Sequence, residues 1–253
     1  MDVQAGVQPA ADSPEAMFDR RLATDPSGPF VTFYDDSTGE RAELSAKSLA
    51  NWVAKTHFLL LDSLGLGVGD RAVVQLPVHW LSAPILLGCW FAGLEVLSNP
   101  IGTAAVAFAD TPALTAATAG TNGWPAADEV FAVSMLSMAQ PDRSPAGAED
   151  FSTAVRPMPD AWPTVRAQAA PTDPALDGAS RSALAAGAVA AADRLGLQPG
   201  GRLLWTRSWS GSADWVSSLL APLAVGGSVV LVRNPDPDKY HQRVSAERIT
   251  ARH

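Results

Sequence analysis

Three of the chain's eight tryptophans, Trp205, Trp209 and Trp215, fall within one short stretch, and Arg207 lies between the first two. An arginine beside indole rings can hold a planar anionic group through charge and cation–π contact. Arg207, Ser208, Trp209 and Gly211 are therefore the residues expected to line a ligand pocket. His79, which closely follows Leu76-Pro77, is the fifth candidate. It should sit just past a strand, and open parallel sheets bind ligands at the carboxyl ends of their strands. Each candidate has a structural alternative. Trp209 can pack on a neighbouring element while Arg207 points to solvent, and His79 can start a helix and bond to its backbone.

No catalytic residue is expected. The histidines His57, His79, His241 and His253 show no HxxxH or HExxH spacing, so no metal site is expected either. Ser208-Trp209-Ser210-Gly211-Ser212 lacks the leading glycine of a nucleophile elbow. Gly65, Gly67 and Gly69 follow a helical pattern and precede a strand, the reverse of a dinucleotide fingerprint, and read as a helix stop and turn.

Composition narrows the classes. With 253 residues, 47% hydrophobic and 17% charged, the chain suits one large domain or two intimate subdomains. A net charge of −8 argues against nucleic acid or an anionic membrane as the main partner. The first residues, MDVQAGVQPA, carry no signal-peptide pattern. The apolar run Leu81 to Leu97 is interrupted by Pro84, Gly88, Gly93 and Glu95 and is too short for a membrane span. A single Cys89 excludes a disulfide and reads as core. A cytoplasmic protein is expected.

The elements that must position the candidates occur twice. Residues 64–100 and 195–235 align, offset by 131 residues at the start and 135 at the end. Leu64-Gly65-Leu66 matches Leu195-Gly196-Leu197, Arg71 matches Arg202, Gly93 matches Gly227, and Asn99-Pro100 matches Asn234-Pro235. In the first copy the pattern predicts a strand at Phe30–Tyr34, a helix capped by Ser45, a strand at 72–76, a helix at about 80–91 and a strand at 94–98. In the second it predicts an alanine-rich helix capped by Ser180, strands at 202–205 and 228–232, and a helix at 213–224. Apolar runs such as Val229-Val230-Leu231-Val232 suit parallel strands covered on both faces. The expected fold is α/β: two pseudo-repeated subdomains with mainly parallel sheets flanked by helices. Its parts are 1–28, a loosely ordered N-terminal arm; 29–105, the first repeat; 106–175, an irregular connection with one strand and one helix; and 176–253, the second repeat.

The motif Leu64-Gly65-Leu66-Gly67-Val68-Gly69-Asp70-Arg71-Ala72, with Leu76-Pro77, Phe91-Ala92-Gly93 and Ser98-Asn99-Pro100, resembles the N-terminal region of the adenylate-forming superfamily. That superfamily includes the acyl-CoA synthetases and AMP-binding ligases. The second copy, through Leu220-Ala221-Pro222-Leu223 and Gly226-Gly227, is similar to the part that follows the family's phosphate loop. The likeness covers about two-thirds of the chain, and it extends to short actinobacterial proteins built like a trimmed version of that region. It implies ATP or AMP as ligand, but the motifs matched are structural. Where the family has a Ser/Thr/Gly-rich loop ending in lysine, this sequence has Pro171-Thr-Asp-Pro-Ala-Leu-Asp-Gly-Ala-Ser180-Arg181, with one glycine and no lysine. The family's aromatic-His-x-x-Gly motif has Ser208 at the histidine position, and the later catalytic lysine has no counterpart. The resemblance therefore implies a degenerate, non-catalytic member that binds a small acyl- or nucleotide-like ligand or a protein partner, with no cofactor. Half of a split ligase needing a partner, and a self-associating scaffold, are the alternatives.

Overall fold

The computed structural model describes residues 12–99, 103–118, 126–136, 139–161 and 167–253. The first element is a helix, α1 (Pro14–Thr24), capped by Ser13, whose hydroxyl oxygen accepts the Ala16 N–H at 3.1 Å. Residues 14–24 are thus not a loose arm. Met17, Phe18 and Arg21 fall three and four apart on one buried face, and Phe18 meets Phe30 and Phe91 edge-on at 6.2 Å. Counting Pro, Asp, Ala and Ser missed this spacing. Residues 1–11 of that arm lie outside the described residues.

A hairpin of β1 (Pro29–Asp35) and β2 (Glu40–Ser45) leads into α2 (Ala46–Phe58), which Ser45 caps and which ends in a π turn over Leu59–Ser63. Next come β3 (Arg71–Gln75), α3 (Ser82–Phe91) and β4 (Glu95–Leu97). The connecting region is more regular than one strand and one helix. It carries most of β5 (Ala104–Asp110), then α4 (Thr111–Thr118), β6 (Ala127–Val133), β7 (Glu149–Asp150), α5 (Phe151–Val155) and the start of β8 (Pro174–Leu176). Residues 119–125 and 137–138 of that region lie outside the described residues.

A second hairpin, β8 with β9 (Ala179–Ser180), leads into α6 (Arg181–Arg194), capped by Ser180. Then come β10 (Arg202–Trp205) and a continuous helical run made of α7 (Ser212–Trp215), a π turn over Val216–Leu220 and α8 (Ala221–Ala224). The chain closes with β11 (Ser228–Arg233), α9 (Tyr240–Ala246) and β12 (Ala251–Arg252).

The fold is α/β, with two mainly parallel sheets flanked by helices. Their strand orders are β12-β10-β11-β1-β2 and β7-β6-β5-β3-β4-β8-β9, and the antiparallel pairs are the two hairpins. The sheets do not follow the boundaries 29–105 and 176–253. β1, from the first half, pairs in parallel with β11 of the second, from Val31 opposite Val229 to Asp35 opposite Arg233. β8, from the start of the second half, pairs in parallel with β4 of the first, Leu176 opposite Val96. Each half lends its opening hairpin to the other half's sheet.

Strand alternation divides the core. Val229 and Leu231 face the large cluster shared by both sheets and α1, α2, α3, α6 and α8, while Val230 and Val232 face α9 on the outside. The all-apolar run of β11 follows directly from cover on both faces. Helix α3 lies buried along its whole length, and α6 buries Leu184, Ala185, Ala188, Ala191 and Ala192, a stripe at helical spacing. The inter-half space is thereby filled with side chains, Trp80, Trp90, Trp205 and Trp215 among them.

Gly227, just before β11, marks a tight approach of two backbones: a Cβ built there would overlap the carbonyl oxygen of Gly201. Gly227→Ala is expected to destabilise the protein by about 1–3 kcal/mol, the usual cost of forcing an extra carbon into packed backbone. Urea unfolding measures it, and wild-type stability would refute the contact.

Candidate functional site

In the five-stranded sheet the connection from β10 enters α7 on the shared-core face, whereas the connection from β11 enters α9 on the outer face. Loops that leave neighbouring strands on opposite faces mark the usual ligand position in α/β sheets, at the strands' carboxyl ends. Arg207, Ser208, Trp209 and Gly211 all lie on the β10–α7 loop there, but the hollow of about 280 Å³ at this edge is lined by Tyr34, Asp35, Asp36, Lys239 and Arg243 and by none of those four. The indole N–H of Trp205 donates to the Arg207 carbonyl at 2.8 Å and fixes the loop's first turn. The Arg207 guanidinium lies 5.9 Å from the Trp205 ring centroid and donates to His253 Nε2 at 2.8 Å, and the His253 ring tilts over Trp205 at 4.7 Å. Arg207 and Ser208 are exposed. Trp209 turns inward: its Nε1 donates to Ser218 Oγ at 3.0 Å in the π turn, and Ser218 in turn donates to the Asp214 carbonyl. Gly211 is extended and immediately precedes α7.

His79 stands apart from that loop. It is fully buried between β3 and α3, edge-on to Phe33 at 4.7 Å, and its Nδ1 accepts the Leu81 N–H at 3.2 Å. An accepting Nδ1 puts the proton of the neutral ring on Nε2.

The sequence reading missed the charged groups along the rest of this edge. Asp35, 2% exposed, accepts from Arg233 and from the Asn234 side chain at 2.9 Å each, and from Ser37. Asp36 takes both terminal nitrogens of Arg243, whose guanidinium stacks 4.4 Å from the Tyr34 ring centroid. The signal was there in the matched Asn-Pro pairs. Asn234 has φ +50°, a left-handed conformation that asparagine tolerates, and its amide reaches back to β1.

The segment aligned with the phosphate loop is a tight turn. Asp177 and Gly178 both have positive φ, +46° and +83°, between the paired Leu176 and Ala179, the Asp-Gly signature of a type I′ hairpin. Its amides are engaged: Asp177 N–H donates to the Val96 carbonyl at 3.0 Å and Gly178 N–H to the Glu95 carboxylate at 2.8 Å. The Asp177 carboxylate accepts both the N–H and the hydroxyl of Ser98, at 2.8 and 2.7 Å. Among the described residues no three His, Cys, Asp or Glu side chains cluster as metal ligands, and no helix is long and apolar enough to cross a membrane.

No protein-family model matches the chain. A Mycobacterium tuberculosis (strain ATCC 25618 / H37Rv) protein described as a TIGR03089 family protein is 39% identical over 239 residues, 93% of this chain and 95% of its own length. The chain belongs to the TIGR03089 family. Among solved structures, the Brucella canis acyl-CoA synthetase matches with TM-score 0.73 at 17% identity, over 95% of this chain and 46% of the synthetase. The N-terminal domain of FACL13 from Mycobacterium tuberculosis matches with TM-score 0.72 at 13% identity, over 94% of this chain and 62% of that domain's chain. At such identities the likeness is one of fold: this TIGR03089 member has the architecture of an acyl-CoA synthetase N-terminal domain and spans about half of the Brucella protein.

In this family member the groups at the strand ends also set acid stability. Burial, reinforced by nearby Arg233, pushes the His79 pKa down to about 3. Burial alone would raise Asp35, but hydrogen bonds from Asn234, Ser37 and Arg233 outweigh it and hold the carboxyl well below the usual range. An unfolded histidine takes its proton near pH 6.5 and the folded one only near 3, so the unfolded state binds more protons in between. Stability therefore falls as pH drops through that window. Asp35, also depressed, stabilises above its unfolded pKa of about 3.9 and loses that contribution below it. His79→Leu should flatten the loss between about pH 6.5 and 4 by up to about 1.4 kcal/mol per pH unit while sparing the loss below pH 4. Denaturant titrations across pH test this, and an unchanged slope contradicts a buried neutral imidazole.

Proposed function

We propose that this TIGR03089 protein is a non-catalytic, cytoplasmic binding module on an acyl-CoA synthetase fold, taking a small acyl-like ligand or a protein partner and not turning over ATP. The Asp177–Gly178 turn carries this reading. A polyphosphate needs free amides and a cation. Here the two turn amides are bonded to Val96 and Glu95, and the Asp177 and Glu95 carboxylates stand at the same place, where they repel an anion. The same turn weighs against the chain's being half of a split ligase, since a partner would have to supply a phosphate loop where β8 and β9 already close. Arg207, exposed and held over Trp205, is the residue through which the β10–α7 loop would contact a ligand.

Calorimetric titration with Mg-ATP, AMP and a non-hydrolysable acyl-adenylate mimic, with Arg207→Ala as control, tests the reading. No Mg-ATP binding is expected at millimolar concentration. Micromolar Mg-ATP binding, or ATP–pyrophosphate exchange with any carboxylate, would overturn it. Binding of the mimic that weakens in Arg207→Ala would place the ligand contact at the β10–α7 loop.

A further inference from the structure

A hollow of about 350 Å³ lies between the start of α1, the end of α3 and the start of α6, and shares no lining residue with the β10–α7 loop. Its volume is in the range of small-molecule sites. Two of its lining residues form an ion pair that is only half closed. Arg181, 1% exposed, meets the Glu15 carboxylate through Nη1 and Oε1. Its terminal nitrogens also donate to the carbonyls of Trp90 at 3.2 Å and Leu94 at 3.3 Å, which hold the guanidinium in place. That leaves Arg181 Nε and Glu15 Oε2, both buried, with no hydrogen-bond partner among the described residues. An arginine and a carboxylate frequently meet through two parallel bonds. Here the second bond is unmade, and a buried donor and a buried acceptor left unpaired are costly.

The two unpaired atoms are of opposite type, and that selects the ligand. Nε–H needs an acceptor and Oε2 needs a donor. An anion supplies only acceptors, and Asp12, Glu15 and Asp19 along the wall repel it. The positive end of α1 offsets only about half a charge of this. An ammonium supplies only donors and leaves Nε–H unpaired. A metal ion has no ligand set, since no three His, Cys, Asp or Glu side chains cluster among the described residues. A hydroxyl would have to serve both atoms from a single oxygen. A primary carboxamide has the two functions side by side, a carbonyl oxygen for Nε–H and an N–H for Oε2. The rest of the wall includes Ala16, Trp90, Phe91, Ala167 and Pro171, against which an apolar group can rest. The Trp90 indole is fixed there, its Nε1 donating to the Ala175 carbonyl at 2.9 Å.

We infer that this hollow binds a neutral primary carboxamide, whose head group closes the Arg181–Glu15 pair and whose apolar body lies along Trp90, Phe91 and Pro171. The site is independent of the reading above, which concerns the Asp177–Gly178 turn and the β10–α7 loop, so either can fail without the other.

Cyclohexanecarboxamide, cyclohexanecarboxylate, cyclohexylmethylamine and cyclohexylmethanol differ only in the head group. Each is titrated into the full chain by calorimetry, with thermal unfolding of every variant alongside. The carboxamide should bind about tenfold more tightly than the other three, the worth of one hydrogen bond to a buried group. Ala169→Trp, which fills the hollow from the loop side, should abolish carboxamide binding at an unchanged unfolding temperature. Glu15→Gln, which removes the carboxylate acceptor, should weaken the carboxamide about tenfold. If that variant unfolds, because it takes the charge partner from a buried guanidinium, Ala169→Trp decides alone. Carboxamide binding no tighter than that of the carboxylate, amine or alcohol overturns the site, as does binding unchanged in Ala169→Trp. A carboxamide that does not bind at millimolar concentration overturns it too, and leaves an ordered water as the group that closes the pair.

Discussion

Parallel main-chain pairing of β1 with β11 and of β8 with β4 holds the molecule together, because each joins strands from opposite halves of the chain. Neither sheet is complete without a hairpin contributed by the other half. The helices between them can therefore bury a single continuous core instead of two. Side chains reinforce the exchange. Arg181, 1% exposed at the start of α6, donates to the carbonyls of Trp90 and Leu94 and pairs with Glu15 on α1. A buried guanidinium is tolerable only with partners of this kind, and these partners come from α1, from α3 and from the turn that follows α3.

The same constraint shapes the functional reading. The β8–β9 hairpin has to dock on β4, and a two-residue turn lets Asp177 hold Ser98 while its amides bond Val96 and Glu95. A long phosphate-binding loop and this docking cannot both occupy the turn. At the other hairpin, Asp35 and Asp36 at the end of β1 are spent on Arg233, Asn234 and Arg243. Charges that look available in the sequence are consumed in joining the halves, while Arg207 on the β10–α7 loop stays exposed and meets His253 and the Trp205 ring.

Much of this was legible in the residues. Ser45 and Ser180 cap α2 and α6 as read, since a side-chain oxygen satisfying a free amide is a local interaction. The strands β10 and β11 and the helical run between them follow from apolar runs and turn glycines. Other features depended on distant contacts. α1 was hidden by a polar composition, and only packing against Phe30 and Phe91 shows Phe18 as an anchor. Trp209 and Arg207 share a loop as expected, but whether each faced in or out depended on Ser218 and His253. His79 lies past a strand, as its place after Leu-Pro suggested, yet Phe33 and the burial around it hold it neutral inside the core.

The sequence by itself determined the local grammar: the caps, the helical stripes, the buried parallel strands and the duplicated order of elements. These depend on residues within a turn or two of one another. It also carried the Asp-Gly turn, because positive φ at two successive positions is a property of those two residue types. Which hairpin completes which sheet was decided only in three dimensions, because main-chain hydrogen bonds are the same for every residue and carry no label for a partner some 200 positions away. That choice settled which charges are spent on structure and which are left facing solvent.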